Sequence, residues 1–428
     1  MTFSAVQFID TKRFSGTHAS EDIHAFVSGM MSGEIPDYQV TAWLMAVCCN
    51  GLTLEETTAL TQAYVASGEI LDLSGLSRHC VDKHSTGGVG DKITLILAPI
   101  LAACGLGVAK LSGRGLGLTG GTIDKLEAIP GFQTNLSKEA FLKQVEAIGV
   151  AVVSQTAELA PADGKTYALR DVTATVASIP LIAASVMCKK IAAGAPVITL
   201  DVKYGSGAFM ATREDAEELA QTCVAIGEQC GRIVVTHLSD MNTPLGSAIG
   251  HANEVQEAID TLKGHGPSDL RQLVLELAVM TLVAAKHSLS KETAQKEVEA
   301  VIASGKAIEV FKAFVEAQGG NLACVENPQL LPQPAERVPV LALQSGKVTH
   351  CNAHALALAA FALGAGRTKK GDVIDFAVGL YLLKKPGDVV VQGEPLAELL
   401  VNQKGLEEAK ALVLEAYKIS RTHPKILT

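Results

Sequence analysis

The sequence predicts an α/β protein: a small, discontinuous helical domain joined to a large, mixed but mainly parallel α/β domain, with an α+β module at the C-terminal end. Three observations lead there. Hydrophobic residues form 48% of the 428-residue chain while aromatics form only 4%, a mixture suited to tightly packed helices and parallel strands joined by glycine turns. Residues 1–70 carry the apolar spacing of helices. From Arg78 onward the period changes, and short apolar segments alternate with glycine turns and helical stretches.

Taken in order, Asp37 is placed to cap a helix that carries Val40, Leu44 and Val47 on one face and ends at Asn50-Gly51. Thr53 and Glu56 form a capping box for the next helix, through about Ser67. The strand candidates are Cys80-Val81, Gly107 to Leu111, Val150 to Ser154, Val197 to Val202 and Ile233 to His237, a βαβ rhythm that implies parallel pairing. A mainly helical insert, Pro161 to Ala193, is expected to rejoin the N-terminal helices. The predicted division is therefore 1–70 with 160–193 (helical), 71–159 with 194–330 (α/β), and 340–428 (C-terminal module). Asn327 to Pro339, rich in Pro and Gln, reads as a linker. Val340 to Asn402 alternates apolar and polar residues around a helix near Leu356. The stretch from Gly387-Asp388 to Pro395-Leu396 is similar to biotin- and lipoyl-carrier modules, but no Met-Lys-Met motif accompanies it, so it reads as structural.

Composition also excludes. A net charge of −9 argues against a nucleic-acid partner, because a phosphate backbone demands a basic face. Basic residues nevertheless gather at Lys83, Lys92, Lys110, Arg114, Arg170, Lys189 and Lys190, which suits a small anionic substrate. The apolar run Ile93 to Leu101 is broken by Pro99 and falls short of a bilayer span, and the N-terminal residues show no secretory pattern. Nine cysteines with no Cys-x-x-Cys pair signal neither a disulfide framework nor a zinc ribbon. The expected compartment is the reducing cytoplasm, with no membrane and no cofactor.

Three motifs carry chemistry. Asp82-Lys83-His84-Ser85-Thr86-Gly87-Gly88-Val89-Gly90-Asp91 follows a strand and precedes an apolar helix, so its backbone N–H groups can converge on an anion at a helix N-terminus. Asp91 separates Gly90 from Lys92, which excludes a P-loop. A second glycine-rich run, Lys110 to Glu127, supplies Lys110, Ser112 and Thr122 in the same context. Two such loops at the carboxyl ends of parallel strands would face one crevice. In the helical insert, Ser185 and Lys189 stand four apart on one helix face, with Arg170 offering a planar donor fork in the same segment.

These stretches, with Arg170-Asp171-Val172-Thr173-Ala174-Thr175, Asp201 to Met210 and Gly364-Ala365-Gly366-Arg367, resemble the thymidine and pyrimidine-nucleoside phosphorylases over essentially the whole chain. The resemblance implies a homodimer whose two domains close on a pyrimidine nucleoside and phosphate. It implies that Lys83, Ser85, Thr94, Lys110, Ser112 and Thr122 hold phosphate and that Arg170, Ser185 and Lys189 hold the base. His84 would act as acid or hydrogen-bond donor near the base, with Leu116, Tyr167 and Phe209 bordering the base pocket. On this reading Lys83 and Lys110 share one cavity, which Arg170 faces. Two departures stand out. Leu118 occupies a position where relatives commonly carry histidine. A potassium site of some bacterial members maps to Gly90, Lys92, Leu245, Ala248 and Glu257, with Lys92 in place of a threonine ligand; the expectation is no metal here, the Lys92 ammonium taking the ion's place beside Glu257. Two rivals share the scaffold. An anthranilate-type phosphoribosyltransferase would need magnesium-binding acids and a Lys-His-Gly-Asn-like turn where this chain has Lys110-Leu111-Ser112-Gly113, and a non-catalytic binding protein would be expected to lose Lys83, Arg170 or Lys189.

Overall fold

The computed structural model describes residues 3–115, 120–156, 158–369 and 371–420. Its central element is a five-stranded, all-parallel sheet in the order β3-β2-β1-β4-β5, formed by β1 (Cys80–Ser85), β2 (Gly107–Ser112), β3 (Val150–Ser154), β4 (Val197–Tyr204) and β5 (Ile233–Asp240). All five predicted strands exist. The first is longer than its apolar core suggested: Asp82 to Ser85 continue the ladder against Ile198 to Asp201 rather than forming a loop. That extension puts successive side chains of the first motif on opposite faces of the sheet.

The N-terminal helices Ala5–Arg13, Ser20–Ser32, Asp37–Asn50 and Leu54–Ala66 share one apolar core with Pro161–Asp171 and Ile179–Ala192. Phe26, Trp43, Leu60, Leu181 and Met187 are fully buried in it, and Ile198 and Leu200 of β4 complete it. Asp37 is the first residue of its helix and Pro36 takes the N-cap position, so the expected aspartate cap is not formed. The capping box is present: Thr53 accepts from the Glu56 N–H at 3.2 Å and Glu56 from the Thr53 N–H at 2.8 Å. Glu56 also pairs with buried Lys12 at 2.7 Å, fastening the first helix to the fourth.

A second core lies on the opposite face of the sheet, where helix Ile93–Ala103 is buried along its whole length among the helices spanning Ala252 to Ala317. The C-terminal module holds two antiparallel sheets. One contains β6 (Ala248–Gly250), β7 (Glu336–Leu341), β9 (Gly379–Leu382) and β11 (Pro395–Val401), in the order β6-β9-β11-β7. The other contains β8 (Gly346–Cys351), β10 (Val389–Val390) and β12 (Tyr417–Ser420). Because β6 precedes the linker, the module is stitched to the α/β domain by strand pairing. Part of the predicted linker is strand: Pro339 lies in β7, an edge strand where a missing donor is tolerated. The predicted helix near Leu356 spans Ala353–Ala360. Among the described residues no helix is long and apolar enough to cross a membrane.

Candidate active site

A cavity of about 530 Å³ opens between the carboxyl ends of the central strands and the helical insert. One wall is made by the two glycine loops with His84, Ser85, Thr94, Lys110, Ser112 and Thr122, and the other by Tyr167, Arg170, Ser185 and Lys189; Phe209 stands at the mouth, 67% exposed. Leu116 and Leu118 lie outside the described residues.

The loops are built by backbone constraints. Gly90 adopts φ +75° and approaches the Leu245 carbonyl so closely that a Cβ would lie 2.5 Å from that oxygen. A Cβ on Gly121 would meet the Gly115 nitrogen at 2.2 Å, so the two ends of the second loop can close only over glycine. The Asp124 carboxylate bridges those ends, accepting from Gly115 N–H at 2.7 Å and Gly121 N–H at 3.1 Å.

Lys83 departs from the sequence expectation. It does not line the cavity; its ammonium lies 3.8 Å from both Asp91 and Asp201. Lys110 does line the cavity, donates to the Lys83 carbonyl and sits 3.6 Å from Asp82. The cause is the extension of β1: Asp82 and Lys83, being neighbours on a strand, face opposite ways. On the Asp82 side, Lys190 pairs with Asp82 at 2.8 Å and donates to the Leu111 carbonyl at 3.3 Å, binding the helical insert to the sheet. On the Lys83 side, Asp201 is shared with Lys203 at 2.8 Å.

Burial and the nearby ammonium groups of Lys190, Lys110, Lys83 and Lys189 push the His84 imidazole well below its ordinary value. His84 is therefore neutral at pH ~7, where an isolated histidine would be partly charged. It can donate one ring N–H as a hydrogen bond but does not arrive as a charged acid. Burial and Lys190 also lower Lys110, to about 7, against the opposing pull of Asp82.

Across the cavity, Arg170 is buried and directed inward from the end of its helix. Its guanidinium donates to the carbonyls of Thr175 (3.1 Å), Leu181 (3.1 Å) and Val176 (2.8 Å). The turn it braces contains Ala174 at φ +56°, a conformation an alanine adopts only under constraint. Three of five N–H donors are thus spent on the backbone, leaving two for a ligand. Lys189 donates to Ser185 at 3.1 Å and pairs with Asp163 at 2.7 Å. Burial works against the Lys189 charge, but Asp163 more than offsets it and raises the ammonium above its ordinary value. The Lys189 and Arg170 cations stand 5.8 and 5.9 Å from the Tyr167 ring centre.

Sequence reasoning missed Asp163, Asp82 and the cavity-facing role of Lys190. Asp163 was findable: Asp163, Tyr167 and Arg170 recur at helical spacing and form one polar stripe. The potassium-site positions do come together. The fully buried Lys92 ammonium donates to the carbonyls of Leu245 (3.2 Å) and Ala248 (2.9 Å) and pairs with Glu257. The Gly90 carbonyl accepts instead from the Lys92 backbone N–H at 3.0 Å.

Comparison with known proteins matches this architecture in three consecutive segments. Residues 6–68 match the helical bundle domain of a glycosyl transferase family, residues 77–308 its a/b domain, and residues 347–420 the pyrimidine nucleoside phosphorylase C-terminal domain. The chain is 51% identical over 415 residues to the pyrimidine-nucleoside phosphorylase of Bacillus subtilis (strain 168), covering 97% of this chain and 96% of the relative. It is 49% identical to that of Staphylococcus haemolyticus (strain JCSC1435), with the same coverage. Among solved structures, an anthranilate phosphoribosyltransferase from Thermus thermophilus matches with a TM-score of 0.58 at 19% identity, over 72% of this chain and 98% of that one, a likeness of fold alone. With full-length identity at this level and glycine loops facing a basic helical wall, the chain belongs to the pyrimidine-nucleoside phosphorylase family.

Proposed function

We propose that this enzyme cleaves pyrimidine (deoxy)nucleosides with inorganic phosphate, releasing free base and (deoxy)ribose 1-phosphate. One observation carries the reading: hydroxyls and an ammonium from two glycine loops face an arginine and a second ammonium across a single cavity. Ser85, Thr94, Lys110, Ser112 and Thr122 hold phosphate, while Lys83 acts one layer behind, fixing Asp91. Arg170, Ser185 and Lys189 hold the base, with Tyr167 and Phe209 at its borders. A phosphate oxygen bonds to the anomeric carbon as the carbon–nitrogen bond breaks. The electron pair of that bond passes to the base, where Lys189 and the two free Arg170 N–H groups meet the growing negative charge. Neutral His84 adds a hydrogen bond. Since nucleophile and leaving group are gripped by different domains, closure brings them together and expels water.

The assay is direct. Thymidine, uridine and deoxyuridine are incubated with the full chain, with and without phosphate, and free base and sugar phosphate are quantified. Base release that requires phosphate is expected; release in phosphate-free buffer, or dependence on magnesium and pyrophosphate, would overturn the reading.

Lys110 makes a pH prediction. Burial and Lys190 hold Lys110 down to about 7, so the contribution of its charge to phosphate binding is full below that value and is lost as pH rises through it. The KM for phosphate should climb on the alkaline side, and Lys110→Arg, whose guanidinium stays charged, should flatten the climb. Identical profiles for the two proteins would refute the role given to Lys110.

Two further readings belong here. Lys92 replaces a monovalent cation: its ammonium already occupies the centre formed by the Leu245 and Ala248 carbonyls and Glu257, so the residues present do not fit potassium. The enzyme works in the cytoplasm and as a homodimer, the second supported by apolar side chains left exposed on the N-terminal helices and their caps, among them Val6, Phe14, Tyr38 and Met45.

A further inference from the structure

We propose that Arg367, from the C-terminal module, is a positioning residue for phosphate: by locking Asp124 it holds both ends of the second glycine loop. The inference rests on the phosphate reading of that loop. Arg367 follows the short helical turn Phe361–Ala365 and belongs to a Gly-Ala-Gly-Arg motif to which the reaction above gives no task. Its side chain reaches into the α/β domain and is largely buried there. One guanidinium nitrogen meets Asp124 at 2.7 Å, another donates to the Gly115 carbonyl at 3.3 Å, and Nε donates to the Asp372 carbonyl at 3.2 Å within its own loop.

Asp124 is what gives this contact a consequence. It is fully buried, and one of its oxygens is spent on the Gly115 and Gly121 N–H groups. The other faces Arg367, with Arg114 farther off at 3.5 Å and largely committed to Glu127. Burial would raise Asp124, but the Arg367 hydrogen bond and the Gly115 N–H outweigh it and keep the carboxylate charged. Removing Arg367 leaves a buried anion short of its main partner and the Gly115 carbonyl short of a donor. A shift of the loop ends at Gly115 and Gly121 is the response that relieves both groups. Ser112 and Thr122, the hydroxyls that flank the loop, would lose their spacing. Arg170, Ser185 and Lys189 sit on other elements and would not.

The test uses the full chain. Arg367→Ala and Arg367→Lys are compared with wild type by titration calorimetry with inorganic phosphate, by the KM for each substrate, and by thermal melting. Arg367→Ala is expected to bind phosphate roughly 10- to 100-fold more weakly, with the nucleoside KM within about twofold of wild type. Arg367→Lys should recover little, because one ammonium nitrogen cannot stand in for the three separate guanidinium nitrogens that reach Asp124, the Gly115 carbonyl and the Asp372 carbonyl. Guanidinium at millimolar concentration should restore phosphate binding to Arg367→Ala and leave wild type unchanged. The proposal is overturned if phosphate affinity is unchanged, if both KM values rise together, or if only the melting temperature falls. Wild-type turnover tests the phosphorylase reading separately. A wild type that binds phosphate without cleaving nucleosides would sink that reading yet leave the Arg367 comparison intact, whereas one that binds no phosphate would overturn both.

Discussion

Replacing Lys189 with methionine is expected to lower kcat with thymidine or uridine by about 100- to 1000-fold, the typical loss when one donor to a developing anion is removed from a water-poor site. Methionine keeps the apolar stem and deletes the ammonium, with its charge, its N–H donors and its pairing to Asp163. The size of the effect follows from how the ammonium is prepared. Asp163 pairs with it at 2.7 Å and holds it above its ordinary value despite burial, and Ser185 takes a second of its N–H donors. Orientation is thus settled before substrate arrives. The KM for phosphate should stay close to wild type, since Lys189 belongs to the opposite wall. Nucleosides with electron-withdrawing 5-substituents carry better leaving groups and should lose less. A loss below about tenfold, or equal losses for good and poor leaving groups, would remove Lys189 from its assigned role.

Lys92→Met should be strongly destabilising. It would strand Glu257, which is buried beside Lys92 and otherwise bonded to the Ser247 and Ala248 N–H groups, and leave the Leu245 and Ala248 carbonyls without their donor. Breaking one side of a buried pair costs about 3–5 kcal/mol. Because a chain with several domains need not unfold in one step, the drop is best read as a melting temperature and a proteolysis rate. Lys92→Thr makes the sharper companion, because it restores an oxygen ligand and opens room for an ion. That variant is expected to gain stability and activity in potassium relative to choline at equal ionic strength, while wild type ignores the exchange. A wild type whose activity follows potassium at fixed ionic strength would contradict the replacement.

The contrast between the two walls of the cavity shows what a sequence can and cannot carry. Both glycine loops were legible because glycine marks the places that need it: Gly90 holds φ +75° within its own turn, and a Cβ on Gly121 would strike the backbone at Gly115 in the same loop. Ser185 and Lys189 were legible because helical spacing alone puts them on one face. Lys83 was not. Its direction depends on how far β1 extends beside β4, and alternation along a strand turns a misplaced strand end into the wrong face. The protonation of His84 was hidden for a related reason, as the lysines that suppress its charge are brought together from β1, β2 and the helical insert.

By itself, then, the chain declared its architecture, its three motifs and the family they resemble, since each is written in short-range spacing and in the chemistry of neighbouring residues. The tertiary structure alone decided which charges meet. Asp82 finds Lys190 across 108 residues, Lys92 finds Glu257 across 165, and Arg367 finds Asp124 across 243. Such pairs are set by the packing of whole domains, which brings buried charges within reach of each other because leaving any of them alone costs several kcal/mol.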